Sequence, residues 1–296
     1  MKILNFGSLN IDHVYEVPYF PNPGETLSSV KYNSYPGGKG LNQSVAMAKA
    51  GSYVYHAGKI GENSDILIQA LQESGVDTTL LDHTGRITGH AIIQVNESGD
   101  NCIILHGGSN REITKEYIDQ IFSTLEENDI LVLQNEINDL QFIIEMATKK
   151  KLKIALNPSP VDEALCKIDL SGITWLILNE IEGAELAGSR EPIEITNTLL
   201  ERYPQLKVVL TLGDKGAIYQ EQQLRYEQPI FPADVKDTTA AGDTFTGYFI
   251  SLVAKGTEVS EALKFAAKAA SLAVSREGAS SSIPTKDEVL IALNNG

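Results

Sequence analysis

The sequence predicts an α/β fold with a mostly parallel central sheet, helices on both faces of that sheet, and a small β-sheet lid. Short apolar runs alternate along the chain with longer segments of helical periodicity, which is typical of parallel strands joined by helices. Two stretches, at about 12–34 and 89–107, contain strand-like residues around turns, with no helix between the strands of each pair. We therefore predict one α/β domain over residues 1–296, with lid strands inserted at these two places.

The apolar runs of the main sheet are short and continuous, as expected for strands that are buried on both faces. We predict strands at 3–6, 130–133, 154–156, 175–178 and 208–212. Apolar residues recur at helical spacing between these runs, and we predict helices at 41–50, 64–74, 116–125, 140–149 and 193–203. The chain from Ala240 onward is predicted to be mainly helical.

The lid is predicted to contain four strands in two pairs. The pairs are 12–17 with 26–34, around a Pro/Gly turn at 21–24, and 90–96 with 101–106, around a turn at 97–100. A sheet built from insertions has no helical layer of its own, so we interpret it as a flap over the α/β body. Because apolar side chains and strand edges on such a sheet need cover, we predict a homodimer in which two lids pack on each other.

Composition and charge exclude several classes of protein. The chain has 24 Lys and Arg against 39 Asp and Glu, a formal net charge of −15, and 42 % hydrophobic residues. This balance is typical of a globular protein, and the negative charge argues against a nucleic-acid partner because it repels phosphate backbones. The two cysteines form no disulfide framework, and no apolar run approaches the roughly 18 residues of a membrane helix. We therefore expect a cytoplasmic protein without a membrane partner.

The most informative segment is 237–245, which reads DTTAAGDTF. The small residues Ala240, Ala241 and Gly242 precede Asp243, and an apolar helix follows. Backbone N–H groups at such a helix start bind anions and stabilise negative charge that develops in a transition state. Asp243 beside them is a candidate general base for a substrate hydroxyl. The alternative is an ordinary helix start, where Asp is a favourable first-turn residue.

Two polar segments near the amino terminus are candidates for binding a ligand with several hydroxyls. Residues 37–43 read GGKGLNQ, where the glycine backbone allows close approach and Lys39 and Asn42 supply hydrogen bonds. Asn10 and Asp12 lie two residues apart on an extended segment and therefore face the same side, which suits vicinal hydroxyls. The alternatives are a glycine-rich turn before a helix and a polar turn.

Two later segments each follow a predicted strand. Residues 179–182 read NEIE, and carboxylates at a strand end could organise a hydrated Mg²⁺; helix capping by Asn179 is the alternative. Residues 211–216 read TLGDKG, a tight turn that could receive a nucleotide phosphate or ribose; a plain turn is the alternative.

These segments, in this order, resemble the ribokinase/PfkB family of sugar kinases over essentially the whole chain. The two most specific segments are 37–43 and 237–245, and 179–182 lies between them in the same order. The remaining similar details are Asn10 with Asp12, Glu136 after the strand at 130–133, and the LNPSP sequence at 156–160.

The resemblance implies ATP-dependent phosphorylation of a pentose at its primary hydroxyl, with D-ribose converted to D-ribose 5-phosphate. The family also contains kinases for other sugars. A kinase for 2-deoxyribose or another sugar is therefore the alternative, and a non-catalytic sugar-binding regulator on the same fold is a further one. The implied cofactors are ATP, Mg²⁺ and K⁺.

The resemblance also assigns roles to individual residues. It implies Asp243 as the general base, with Ala240, Ala241 and Gly242 as the anion hole. It implies a sugar site at Asn10, Asp12, Gly38, Lys39, Asn42 and Glu136, together with Asp243. It implies nucleotide and Mg²⁺ binding at Asn179, Glu182, Thr211, Gly213, Asp214, Gly216 and Gly242. It implies a monovalent-cation loop at Asp237, Thr239, Ala273, Arg276, Gly278 and Ser282.

Overall fold

Two β-sheets and nine α-helices make up residues 1–295, the part of the chain that the computed structural model describes. The strands are β1 (Ile3–Phe6), β2 (Asn10–Glu16), β3 (Lys31–Gly37), β4 (Val54–Lys59), β5 (Asp77–Asp82), β6 (Gly89–Val95), β7 (Asn101–His106), β8 (Ile130–Gln134), β9 (Lys153–Asn157), β10 (Trp175–Asn179), β11 (Lys207–Thr211), β12 (Ala217–Glu221) and β13 (Leu224–Gln228). The helices are α1 (Lys39–Lys49), α2 (Asp65–Glu73), α3 (Lys115–Ser123), α4 (Leu140–Lys149), α5 (Glu180–Ala187), α6 (Pro192–Arg202), α7 (Ala241–Ala254), α8 (Val259–Val274) and α9 (Lys286–Asn294). Within these residues, no helix is both long and apolar enough to cross a membrane.

The nine-stranded central sheet has the order β13-β12-β11-β10-β9-β8-β1-β4-β5. Its strands run parallel from β11 to β5, and only β12 and β13 pair antiparallel at one edge. Apolar side chains leave the sheet on both faces: Ile3 packs in a core cluster with Phe249 of α7, and Leu4 and Phe6 pack in a second cluster with Ile143 of α4. Burial on both faces explains the continuous apolar runs. The predicted fold class is confirmed.

Local sequence signals start several helices. Asn179 and Glu182 form a capping box at α5, in which each side chain accepts a hydrogen bond from the other residue's backbone N–H. Thr285 and Glu288 form the same box at α9. Pro192 occupies the first helical position of α6, where its missing N–H costs no intrahelical bond.

The structure contains every strand and helix predicted for the α/β body, with boundaries within two residues. It also contains β4, β5, β12, β13 and α5, which the apolar pattern did not predict. The segment of β4 interrupts its apolar residues with His56 and Lys59, and β12 and β13 form the antiparallel edge of the sheet. The strands β4, β12 and β13 therefore lack the short continuous apolar run that indicates a strand buried on both faces.

The four lid strands form a separate sheet of order β3-β2-β6-β7. The expected boundaries were wrong for the first pair, because β2 begins at Asn10 and β3 runs from Lys31 to Gly37 in place of 26–34. Antiparallel pairing explains the shift, since Asn10 stands opposite Gly37 and Glu16 opposite Lys31. The hairpin of β6 and β7 lies within a residue of its expected position.

Four connections join the lid to the body, and two of them are short. Residues 7–9 lead from β1 into β2, and Gly38 leads from β3 into α1. Gly38 has φ 92°, and a Cβ atom there would lie 3.0 Å from the backbone nitrogen of Asn10. A glycine is therefore needed where the two connections touch. Gly38, and Asn10 directly after the first connection, are residues that the sequence analysis assigned to a sugar site.

Candidate active site

A cavity of about 230 Å³ lies at the carboxyl ends of the central strands, beside the first turn of α7. Binding sites of parallel α/β sheets form at this edge. The predicted residues in its lining are Lys39, Asn179, Glu182, Thr211, Ala240, Ala241, Gly242 and Asp243. The lining also includes Asn157, Ser159, Ile177, Leu178, Thr238 and Thr246. Residues from the two ends of the chain and from its middle therefore meet in one cavity.

Asp243 is a buried carboxylate of this cavity and lies in the first turn of α7. The Nδ2 atom of Asn42 donates to its Oδ2 at 3.0 Å, and the Nε2 atom of Gln43 donates to its Oδ1 at 2.9 Å. Both donors come from α1, which packs against α7. Each carboxylate oxygen of Asp243 therefore accepts an amide hydrogen, and the two amides fix the orientation of this carboxylate in the cavity.

The start of α7 supplies the backbone for an anion site. Ala240, the N-cap residue, has a left-handed backbone with φ 60°, and Gly242 borders open space. The first N–H groups of an α-helix have no intrahelical acceptor, and the helix dipole adds positive potential there. The N–H of Ala241 already donates to the Thr238 carbonyl at 3.2 Å. Gly242 and Asp243 are therefore better placed than Ala241 to donate to an anion.

Two acidic side chains lie beyond the cavity on the lid side. Burial, together with the nearby charge of Glu136, raises the pKa of Asp12 to about 7. A Cβ atom at Gly37 would lie 2.1 Å from an Asp12 carboxylate oxygen, so only glycine leaves room for this carboxylate. Burial also raises the pKa of Glu136, although Lys39, Ser8 and the Lys39 backbone N–H act in the opposite direction. The site therefore concentrates acidic acceptors that suit ligand hydroxyls.

Asn10 is buried beside these groups and is held by a residue outside the predicted set. The Nδ2 atom of Asn110 donates to the Oδ1 of Asn10 at 2.8 Å. The same Asn110 side chain binds both backbone groups of Leu9. These bonds hold the connection between β1 and β2 in place. Because the Oδ1 of Asn10 accepts from Asn110, the amide hydrogens of Asn10 remain free to donate elsewhere.

Lys39 is the cation at the centre of the acidic groups. Burial lowers its pKa, but the charges of Asp243, Glu136 and Glu182 outweigh that effect and hold the pKa above its usual value. Its ammonium group therefore stays charged inside the cavity. A buried cation near the start of α7 adds to the positive potential for an anionic ligand.

The predicted nucleotide residues divide into two groups. Glu182 and Asn179 line the cavity while they cap α5, so the capping alternative is correct and the side chains still face the site. Thr211 also lines the cavity. Gly213 and Asp214 lie in the turn beyond it, outside the cavity lining.

Gly216 ends that turn for a structural reason. It has φ 103°, and a Cβ atom there would lie 2.1 Å from the carbonyl oxygen of Gln228. The glycine is therefore required by the close approach of β13, whatever the turn binds.

Three residues of the implied cation loop, Asp237, Thr239 and Gly278, are joined by hydrogen bonds beside the start of α7. The Asp237 carboxylate accepts from the backbone N–H groups of Thr239 at 2.8 Å and Gly278 at 3.0 Å. Partial burial raises the pKa of Asp237, but these bonds and the Thr239 hydroxyl hold it below its usual range. Asp237 therefore ties the loop before α7 to the loop after α8.

Three further members of that set have side chains or carbonyls engaged elsewhere. The Arg276 guanidinium pairs with Glu288 at 2.6 Å. The Ala273 carbonyl accepts from the Arg276 N–H at 3.0 Å, and the Ser282 hydroxyl donates to the Ala279 carbonyl at 2.8 Å. Any contribution of Arg276 to a cation site is therefore through its backbone. Among residues 1–295, no group of three or more His, Cys, Asp and Glu side chains is arranged to hold a metal.

The sequence analysis assigned no role to five polar residues in or behind the site, although it noted the LNPSP sequence that contains one of them: Asn5, Ser8, Asn110, Gln134 and Asn157. Asn5 and Gln134 occur in strands that are otherwise apolar, and both are fully buried. A buried polar side chain requires a hydrogen-bond partner. That isolated polarity was the available signal, but it does not identify the partner.

Comparison with known proteins places this geometry in a family. The family model for pfkB family carbohydrate kinases matches residues 1–286. The chain belongs to the pfkB family of carbohydrate kinases. It is 34 % identical over 293 residues to a ribokinase of Haemophilus influenzae, with 96 % of this chain and 95 % of that protein covered. It is 30 % identical over 302 residues to a deoxyribokinase of Salmonella typhi, with 97 % of each covered.

Solved structures agree with the sequence comparison. A ribokinase from Thermotoga maritima matches with a TM-score of 0.89 and 35 % identity, covering 100 % of both chains. A ribokinase from Arabidopsis thaliana, solved with ribose and ATP, matches with a TM-score of 0.87 and 30 % identity, covering 99 % of this chain and 98 % of that chain. The class of this protein is therefore a carbohydrate kinase.

Proposed function

We propose that this protein is an ATP-dependent ribokinase, which transfers the γ-phosphoryl group of ATP to the primary hydroxyl of D-ribose. The products are D-ribose 5-phosphate and ADP. The observation that carries the proposal is Asp243, held by Asn42 and Gln43 as an acceptor in the first turn of α7. The names of the most similar relatives support ribose as the sugar.

The proposed reaction assigns a base and an anion site. Asp243 accepts the proton of the primary hydroxyl as that oxygen attacks the γ-phosphorus and the bond to the β-phosphate oxygen breaks. Negative charge on the transferring group is stabilised by the N–H groups of Gly242 and Asp243 and by Lys39. Phosphoryl transfer depends mainly on positioning and charge stabilisation, so no covalent nucleophile is required.

The sugar is proposed to lie between Asp243 and the lid connections. Asp12, Asn10 and Glu136 supply acceptors and an amide for its secondary hydroxyls, and the backbone at Gly38 allows close approach. This orientation directs the primary hydroxyl toward Asp243. ATP is proposed to enter from the side of Asn179, Glu182 and Thr211, with the Gly213–Gly216 turn at the outer edge.

Two ions complete the proposal. Glu182 and Asn179 line the cavity and would hold Mg²⁺ through water, and the ion would neutralise charge on the ATP phosphates. K⁺ is proposed in the loop of Asp237, Thr239, Ala273, Arg276, Gly278 and Ser282. The set offers one carboxylate and backbone carbonyls, which are hard oxygen donors. Because Asp237 joins the loops on both sides of α7 and α8, an ion there would fix the backbone that forms the anion site.

A homodimer through the lid is also proposed. The exposed apolar residues of the lid hairpin are Ile92, Ile103, Ile104 and Leu105. Strands β3 and β7 form the two free edges of the lid sheet. A second lid would cover both the apolar side chains and the edges.

A sugar panel tests the proposal. Release of ADP is measured with ribose, 2-deoxyribose and other pentoses and hexoses, and kcat/KM is compared. We expect the highest kcat/KM for ribose. An equal or higher value for 2-deoxyribose would favour the second candidate, which the 30 % identical deoxyribokinase supports. No turnover with any sugar, together with measurable sugar binding, would favour a binding regulator.

A further inference from the structure

A chain of buried amides runs from the catalytic carboxylate into the core. Gln43 donates to Asp243, and Gln134 Nε2 donates to the Oε1 of Gln43 at 2.7 Å. The same Gln134 nitrogen donates to the Oδ1 of Asn5 at 3.0 Å. Asn5 Nδ2 in turn donates to the Ser44 hydroxyl at 2.8 Å. Gln43, Gln134, Asn5 and Ser44 are each fully buried. We call Gln43, Gln134 and Asn5 the amide relay.

A backbone carbonyl sets the direction of every bond in the amide relay. Asn5 Nδ2 donates to the carbonyl oxygen of Gly40 at 2.7 Å, so its Oδ1 must be the atom that faces Gln134. Gln134 therefore presents its two N–H groups, one to Asn5 and one to Gln43. The Oε1 of Gln43 is then occupied, and its Nε2 is the atom directed at Asp243.

A second anchor confirms the orientation of Gln43. Its Nε2 also donates to the Oδ1 of Asn157 at 3.2 Å, and Asn157 Nδ2 donates to the Ile177 carbonyl at 2.9 Å. If the Gln43 amide turned over, its oxygen would face the oxygens of Asp243 and Asn157, and its nitrogen would face that of Gln134. All three contacts would become repulsive, so only one orientation is compatible with the site.

The far end of the amide relay is uncharged. Ser44 accepts from Asn5, so its hydroxyl hydrogen is available to His56 Nδ1, which lies 2.7 Å away. Burial lowers the pKa of His56 to about 4, so this imidazole is neutral at physiological pH. Beyond Asp243, every member of the connected series is therefore uncharged.

We propose that Gln134 and Asn5 are positioning residues for phosphoryl transfer, which hold Gln43 so that its N–H faces Asp243 and fixes the carboxylate toward the sugar hydroxyl. This inference rests on the proposed role of Asp243 as the base. Gln134 and Asn5 make no contact with Asp243 and act only through Gln43. A displacement of a catalytic group by about 1 Å costs up to about 100-fold in rate. A residue that does not touch the catalytic group can therefore control kcat through the residue that does.

Two substitutions of Gln134 test whether its hydrogen bonds are needed and whether their donor–acceptor direction matters. Gln134→Met removes both donors with little change in size. Gln134→Glu keeps the shape but replaces the N–H groups by acceptor oxygens, so Gln43 is driven to turn its nitrogen away from Asp243. We expect kcat to fall about 10-fold in Gln134→Met and further in Gln134→Glu, with the ribose and ATP KM values within twofold of the wild type.

A matched control separates positioning from stability. Gln220 is a buried glutamine in β12 that accepts from Thr196 at 2.7 Å and donates to Asn197 at 2.9 Å, away from the site. Gln220→Met and Gln220→Glu should lower the urea midpoint without lowering kcat. If the Gln134 variants do not fold, Asn5→Ala replaces them, because it removes the anchor of Gln134 at the Gly40 carbonyl and leaves the direct contact between Gln43 and Asp243 in place.

A double-mutant cycle between Gln134 and Asp243, measured by kcat, is the decisive test. In an Asp243→Asn background, Gln134→Glu should reduce the residual kcat by less than twofold, since the group it positions is already gone. The proposal is overturned if both Gln134 variants keep kcat within twofold of the wild type, if KM rises with kcat unchanged, or if the Gln220 variants lose kcat equally.

The test uses whichever sugar the wild type turns over best. A different preferred sugar would contradict the proposed substrate and leave the relay measurable, whereas an inactive wild type would contradict both.

Discussion

Gly247 of α7 lies directly against Ala46 of α1: a Cβ atom at Gly247 would be 2.4 Å from the Cβ of Ala46 and 2.9 Å from the carbonyl oxygen of Gln43. This contact sets the separation of the two helices one turn away from the site. Helix α1 carries Asn42 and Gln43, and α7 carries Asp243. The absence of a side chain at position 247 therefore allows two amides to reach the carboxylate of Asp243, the proposed base.

Gly247→Ala should separate α1 from α7 and weaken the hydrogen bonds to Asp243. Overpacking of this kind costs about 1–3 kcal/mol, measurable as a lower free energy of unfolding in urea. We expect kcat of the folded variant to fall at least 10-fold. Adding Ala46→Gly should restore part of both losses. A folded Gly247→Ala variant with kcat within twofold of the wild type would contradict this account.

Asp243→Asn should remove turnover while it leaves the sugar site largely intact. Loss of a general base costs on the order of 10²–10⁴ in rate. The measurement is kcat from ADP release, together with the ribose Kd from calorimetry. Asp119→Asn, an exposed carboxylate on α3, is the control and should change neither value. Near-normal kcat in Asp243→Asn would refute the assignment of the base.

Asp12→Asn should stabilise the free protein at alkaline pH. Folding raises the pKa of Asp12 from 3.8 to about 7, so its contribution to stability is complete below pH 3.8 and is lost as pH rises through about 7. The asparagine is neutral throughout and has no such loss. We expect the variant to gain free energy of unfolding relative to the wild type as pH rises from about 4 to about 7, by a few kcal/mol since each pKa unit is about 1.4 kcal/mol. Parallel pH profiles from urea titrations would contradict the raised pKa.

K⁺ should increase kcat through the loop that Asp237 joins. We compare kcat in KCl with kcat in choline chloride at equal ionic strength. Electrostatic screening is the same in both salts, so a larger kcat in KCl is a specific effect of K⁺. Asp237→Ala should abolish the difference between the salts. Asp234→Ala removes an exposed carboxylate three residues away, and this variant should still show a larger kcat in KCl than in choline chloride. Equal rates in both salts for the wild type would show that a cation site is absent or unimportant.

Ile104→Lys should convert the proposed dimer to a monomer, because a charge on the lid surface prevents its burial by a second lid. Light scattering at micromolar concentration measures the mass. Ile104 is 63 % exposed, and Ile291 on α9 is 60 % exposed, so Ile291→Lys is a matched control that should leave the dimer intact. A wild-type mass of one chain would exclude the dimer.

The sequence predicted those features that local periodicity and backbone chemistry encode. The apolar run of β1 and the helical spacing of α4 give the same boundaries in sequence and structure. The small residues before Asp243 correctly predicted a helix start at α7. Asn179 was weighed as a helix cap, and it forms one while facing the cavity. In each case the determining interactions lie within a few residues of one another.

Only the tertiary structure identified the partners of the site residues. Gln134 meets Asn5 across 129 positions of sequence, and Gln43 meets Asp243 across 200. The polarity of Gln134 was visible in an apolar strand, but its partners depend on which strands become neighbours. The raised pKa of Asp12 likewise arises from burial and from Glu136, which comes from a distant strand end. Local sequence determines which backbone forms, whereas contact, burial and charge between distant segments exist only after those segments have packed.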